Sequence, residues 1–329
     1  MVIYEQKDVM RMGAIDTETK AYLSNPECFS DVFNFWLYKG RQVIQAADLK
    51  ELDTTAIAVP YGLDAKEPIQ KFRDLLKLYA AMRDSRAIYL VLGLEAETKT
   101  HYAMPVRNML YDAMSYAKQV SEAAASYRKN KESLPREEFL SGFRKEDRLM
   151  PVITLTISLS PEPWDGPTSI HEMLATTDEE LLTYVPDYRL NLLTPHEIAE
   201  DDFDKFRTEF GAVMQCVKHR QDKDMKWMEG KARFTKMNRS TANLIKTVTG
   251  FDLNLDAEGD VVNMMNAWEN GLNQARVDAE RVGVQRGRNE GETNMMTAIR
   301  MIKEDKPSDV ICETTGLSSE RLSELRSIL

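Results

Sequence analysis

Residues 87–113, AIYLVLGLEAETKTHYAMPVRNMLYDA, decide the fold. Ile88, Tyr89, Val91 and Leu92 lie in a run that is apolar on both faces, which suits a central strand covered on both sides. The run ends in two acids, Glu95 and Glu97, with Lys99 two residues on. A helical pattern follows at once, from about Ala103 to Arg128, with Met104, Leu110, Met114 and Ala117 on its apolar line. Upstream, KFRDLLKLYAAMRDSRAIYLVLGLE (71–95) is two apolar runs divided by Arg83-Asp84-Ser85-Arg86, the pattern of a hairpin. The first run alone also fits a short helix.

Working outward, 1–24 reads as a loose lead-in, with some strand as an alternative. Asn25-Pro26-Glu27 is a helix cap with proline at the first helical position. Phe29, Val32, Phe33, Trp36 and Leu37 then recur at helical spacing, with Asp31 and Asn34 beside the stripe. A strand is expected near Ala56–Val59, and others in MPVITLTISLS (150–160) and YRLNLLT (188–194), the last followed by an acidic helix start at Glu200-Asp201-Asp202. Strands alternating with helices predict an α/β core over about 20–220. From about residue 258 the chain is helical and charge-rich, and PSDVICETTGLSSERLSELRSIL reads as helix–turn–helix, with Ser318 capping its second helix. The predicted domains are 1–220 and a helical region, 221–329.

Composition bounds the function. The net charge of −10 argues against a general nucleic-acid coat. Locally, however, 217–247 holds nine lysines and arginines against three acids, interleaved with Trp227 and Phe234. Lys223, Lys226, Lys231 and Arg233 are therefore candidate phosphate contacts, although a solvated helix face over buried aromatics reads equally well. No stretch matches the roughly 20 apolar residues of a membrane span, and the N-terminus has no secretory pattern. Cys28, Cys216 and Cys312 are far apart and odd in number, which points to a reducing cytoplasm. His101, His171, His196 and His219 lack zinc spacing.

In an extended chain Glu95, Glu97 and Lys99 face one side, and an antiparallel hairpin brings Asp74 towards Glu95. Carboxylates so clustered suit magnesium, which takes hard oxygen ligands and keeps several waters. Such an ion generates a nucleophilic hydroxide and neutralises phosphate charge. Taken alone, acids at a strand end are more often simply solvated.

The chain resembles the recombination-promoting nuclease (Rpn) family, a branch of the PD-(D/E)XK nucleases. The resemblance runs from about Asn25 to the end. It rests on NPECFSDVFNFWLY, FRDLLKL, YLVLGLEAE with HYAMPVRNMLYDAMSYA, MPVITLTISL with PWDGPTSIHEML, DYRLNLLTP and the tail ending in TGLSSERL. It implies a PD-(D/E)XK restriction-endonuclease-like core, a central mixed sheet flanked by helices, with a helical C-terminal extension. It implies a DNA endonuclease working with magnesium or manganese, in recombination, mobile elements or phage defence. Asp74 and Glu95 become the metal carboxylates. Where the superfamily has lysine, and this family commonly glutamine, the chain has Glu97, which leaves Lys99 to supply the cation.

Arg107, at the start of the following helix, is a candidate phosphate clamp, with a salt bridge to the acids as the competing role. A homo-oligomer, a dimer above all, would suit cleavage of two strands. Two other functions fit: a catalytically silent member that binds a partner, favoured by Glu97, and a DNA-binding regulator using the C-terminal helix–turn–helix, disfavoured because 307–329 lacks the cluster of arginines or lysines expected on a recognition helix.

Overall fold

A computed structural model describes residues 15, 17–52, 55–58, 69–72, 75–83, 86–132, 135–222, 224–255 and 259–329, with the backbone alone for 55–58, 69–72, 76, 78–83 and 86–95. Asp74 and Lys223 lie outside the described residues, and the side chain of Glu95 is likewise outside them.

A first helix, α1 (17–24), precedes α2 (Pro26–Tyr38). The lead-in is thus helical in its last turns. Asn25 caps α2 by accepting from Glu27 N at 2.8 Å, and Pro26 presets the first turn. The buried face holds Cys28, Phe29, Val32 and Phe33. Two polar side chains on it are buried because they replace backbone partners. Asp31 accepts from Arg207 N, Thr208 N and Thr208 Oγ1, at 2.7–3.0 Å. Asn34 accepts from Val43 N and Ile44 N and donates to Ile44 O. Both fix loops that would otherwise bury unpaired amides.

The strands are β1 (Leu49–Glu51), β2 (Thr55–Ala58), β3 (Ile69–Phe72), β4 (Leu75–Arg83) and β5 (Arg86–Glu97). Then come α3 (Met104–Lys129), α4 (Arg136–Ser141) and β6 (Val152–Ser158), followed by α5 (Glu179–Leu182) and β7 (Asn191–Leu193). The order across the main sheet is β1-β4-β5-β6-β7. β1, β4 and β5 are antiparallel neighbours, whereas β5, β6 and β7 run parallel, with α3 as the crossover between β5 and β6. The hairpin reading of 71–95 holds over Leu75–Leu94, and the helical alternative for its first run is excluded. β2 and β3 form a separate pair. β6 is buried almost throughout, as a strand covered on both faces must be. The fold is mixed α/β, with the parallel strands flanked by helices.

The segment at Glu200 forms a 3-10 turn, Glu200–Lys205, instead of an α-helix, and α6 begins at Phe210 and ends at Lys218. α7 (Ala232–Thr235), β8 (Met237–Asn238), α8 (Arg239–Thr249) and β9 (Val261–Val262) follow. The described residues fall into two compact units, Met1–Phe251 with Ala257–Met265 and Asp252–Asp256 with Asn266–Leu329. The basic segment, grouped by sequence with the C-terminal helices, packs within the first unit.

The second unit is built on α9 (Met264–Lys303), α10 (Ser308–Thr315) and α11 (Ser319–Ile328). Ala298, Ile311 and Leu322 form its core, with Met301, Ile302, Cys312 and Leu317 against them. Gly316 ends α10 in the left-handed region at φ 68°, and Ser318 accepts from Arg321 N at 3.3 Å to start α11. Among the described residues no helix is long and apolar enough to cross a membrane.

Candidate functional site at the carboxyl edge of the parallel strands

β5, β6 and β7 end together, at Glu97, Ser158 and Leu193, and parallel pairing sets Glu95 against Thr156 and Glu97 against Ser158. In α/β sheets the crevice beyond the carboxyl ends of the strands is where ligands bind. Glu97 O accepts from Leu159 N at 2.7 Å, so the strand end is fixed by the chain leaving β6. Its side chain, 17% exposed, meets Arg107 of α3, whose Nη1 lies 2.7 Å from Oε1. Arg107 Nε donates to Tyr111 OH at 3.2 Å. The salt-bridge role foreseen for Arg107 is thus present.

Lys99 is placed differently from expectation. β5 stops at Glu97, and Lys99 stands in the bend that follows, exposed. Strand alternation does not reach it, so it does not extend the row of Glu95 and Glu97.

Below the edge lies a buried polar bed that the sequence reading did not single out. Asn108 Nδ2 donates to Thr156 Oγ1 at 2.9 Å. Asp112, one turn along α3, accepts from Thr154 Oγ1 at 2.5 Å and from Tyr188 OH at 2.7 Å. Asn191 Nδ2 donates to Thr154 O at 2.9 Å. Asn108, Thr154 and Thr156 are fully buried. The bed fixes the rotation of α3 against β6 and therefore the position from which Arg107 reaches Glu97. A signal existed in the threonines of ITLTIS, which place polar groups at period two on a strand with no wet face.

Over the same edge, Tyr102 OH donates to Asp165 Oδ2 at 2.9 Å. Hydrogen bonds from Thr100 and then Tyr102 hold the Asp165 carboxyl below its ordinary range. Gly166 packs so tightly that an added Cβ would stand 2.7 Å from Thr100 Cγ2. Trp164 takes part in this contact, in keeping with a packing role.

Among the described residues, the candidate phosphate contacts of the basic segment are held by acids. Lys226 Nζ lies 3.6 Å from Asp224, Lys231 Nζ 3.8 Å from Glu200, and Arg233 is paired with Asp204. Glu200 is a hub, also meeting Lys218 Nζ at 3.1 Å, His219 Nε2 at 3.0 Å and Gln215 Nε2 at 2.7 Å. Partial burial works to raise the Glu200 carboxyl, but hydrogen bonds from Gln215, Lys218 and His219 outweigh it and hold the group low. His219 also bonds Asp222 and stacks on Trp227 at 4.3 Å. Much of the local basic excess is therefore matched by acids contributed from 200–204.

The donor set at the strand ends is carboxylate and hydroxyl oxygen, the chemistry magnesium prefers. Among the described residues no three of His, Cys, Asp and Glu group to hold an ion. Asp74 and the Glu95 side chain fall outside that statement. Compared with known proteins, the chain matches no family model, no curated protein and no solved structure.

Proposed function

We propose that the chain is a magnesium-dependent DNA endonuclease of the PD-(D/E)XK type, related to the Rpn family, with Asp74 and Glu95 as the metal carboxylates. One observation carries this reading. Glu95 and Glu97 lie in the last three residues of the central strand β5, beyond its antiparallel pairing with β4, which ends at Leu94, and still paired in parallel with β6. In the sequence Asp74 stands directly before Leu75, the first residue of β4, and the resemblance pairs it with Glu95 as the two metal carboxylates. A bound magnesium would supply a nucleophilic hydroxide and charge neutralisation at phosphate. Arg107 offsets the charge of Glu97 and brings a guanidinium to the edge, where phosphate recognition is a role to which its forked donors are suited.

The test is plasmid cleavage in magnesium, manganese or EDTA, with Asp74→Ala and Glu95→Ala alongside. Metal-dependent cutting lost in both variants is the expected result. Cutting that survives both would displace the site.

The Glu97–Arg107 pair also favours a second reading, a silent member of the fold that binds a partner. There the intact protein cuts no DNA, and Glu97→Lys or Glu97→Gln leaves it inactive.

A further inference from the structure

Four buried side-chain atoms without a hydrogen-bond partner belong to segments at the carboxyl edge of the parallel strands. They are Asn108 Oδ1 on α3, His101 Nδ1 after β5, Trp164 Nε1 after β6 and His196 Nε2 after β7. Among the described residues, only Thr19, Gln215 and Trp227 carry another such atom. Most of the unpaired groups therefore sit where the strands end, the side from which a ligand approaches an α/β sheet.

Asn108 is the one of the four that is fully buried. Its Nδ2 donates to Thr156 Oγ1 at 2.9 Å, and Thr156 is the register partner of Glu95. Its neighbour Arg107 pairs with Glu97. The amide is thus fastened to the residue beside the proposed metal carboxylate. A buried acceptor left unpaired costs about 1–3 kcal/mol. An oxygen so placed calls for a donor that arrives with a ligand.

Chemistry narrows that donor. Magnesium is held by one or two carboxylates and keeps several waters. A water on a cation turns its protons outward, and groups in the surrounding shell must accept them. Arg107 cannot, because a guanidinium has no acceptor. An amide oxygen can, and it adds no negative charge to an edge that already holds Glu95 and Glu97.

We infer that Asn108 is a positioning residue of the magnesium site, its Oδ1 accepting a hydrogen bond from a water of the bound ion. The inference rests on the reading of Glu95 as a metal carboxylate given above.

The test is manganese binding to the full chain without DNA, read as free ion by electron paramagnetic resonance. Asn108→Ala should weaken binding by about tenfold or more. Asn108→Asp keeps the size and an acceptor oxygen, and should bind at least as tightly as the parent. Thermal unfolding without metal reports whether each variant is folded, and Asn108→Asp carries the test where Asn108→Ala is not. A role in packing alone would lower the unfolding midpoint of Asn108→Ala and leave its affinity unchanged, which overturns the inference. So would weaker binding by folded Asn108→Asp, since the amide nitrogen would then face the ion site. Glu95→Ala tells the two readings apart. Binding lost in Glu95→Ala but unchanged in Asn108→Ala removes Asn108 and leaves the metal carboxylate standing. A parent that binds no manganese, or Glu95→Ala that binds as the parent does, removes both.

Discussion

Arg107 Nη1 stands 2.7 Å from Glu97 Oε1, tying the first turn of α3 to the last residue of β5. Both side chains are partly screened from solvent, at 31% and 17% exposure, so the pair is stronger than a surface pair. Truncating one partner leaves the other charge partly desolvated. Arg107→Met should therefore destabilise more than Glu97→Gln, and the double variant should recover part of the loss. A coupling of about 1 kcal/mol is expected from a double-mutant cycle in urea. Additivity of the two single changes would mean that the contact has no energetic weight.

The polar bed beneath that pair makes a larger prediction. Asp112 accepts hydroxyl hydrogens from both β6 and the segment before β7, through Thr154 and Tyr188. Asp112→Ala removes a buried charged acceptor from two donors at once and should cost about 2–3 kcal/mol. Asp112→Asn keeps one acceptor oxygen and should cost about 1 kcal/mol. Chemical denaturation reads both, and equal losses would indicate that the charge is immaterial.

These two cases mark what was legible in the sequence. The β4–β5 hairpin, α2, α3 and β6 follow from apolar runs and breakers, because their partners are covered by local periodicity. The sequence of α1 reads as polar because its buried positions are Thr19 and Leu23, with only one of them apolar. The basic segment was counted correctly, yet its acidic partners Glu200 and Asp204 lie some twenty to thirty positions earlier, beyond any local count. Arg107 was placed near the acids by adjacency. Asn108, Asp112 and Tyr188 meet β6 only through the parallel crossover, which spacing does not disclose.

Acid sensitivity should concentrate in the segment after β6. Hydrogen bonds from Thr168 hold the Glu172 carboxyl below its ordinary value of 4.5, and the backbone amide of His171 does the same for Asp187, whose ordinary value is 3.8. Because the folded values are depressed, their contribution is fully present above the ordinary carboxylate range. It is lost as pH falls through that range and below it. Thermal stability should be flat from about pH 7 to 5 and decline below about 4. Glu172→Gln, which keeps an acceptor but does not titrate, should flatten part of that decline. Hydrogen exchange over 168–190 is the local readout, and an unchanged acid profile in the variant would remove Glu172 as a cause.

Glycines along α9 should respond in opposite directions. At Gly271 an added Cβ would stand 1.7 Å from Asp252 O, a backbone atom of the same unit that no rotamer change can move. Gly271→Ala must push that chain segment away and should cost about 3 kcal/mol. At Gly287 the space is open. Gly287→Ala should raise helix content and gain about 0.5–1 kcal/mol, since alanine loses less backbone freedom. The comparison is made by urea denaturation of the full chain followed by far-ultraviolet circular dichroism. Equal effects at the two sites would mean that Asp252 does not pack on the helix as described.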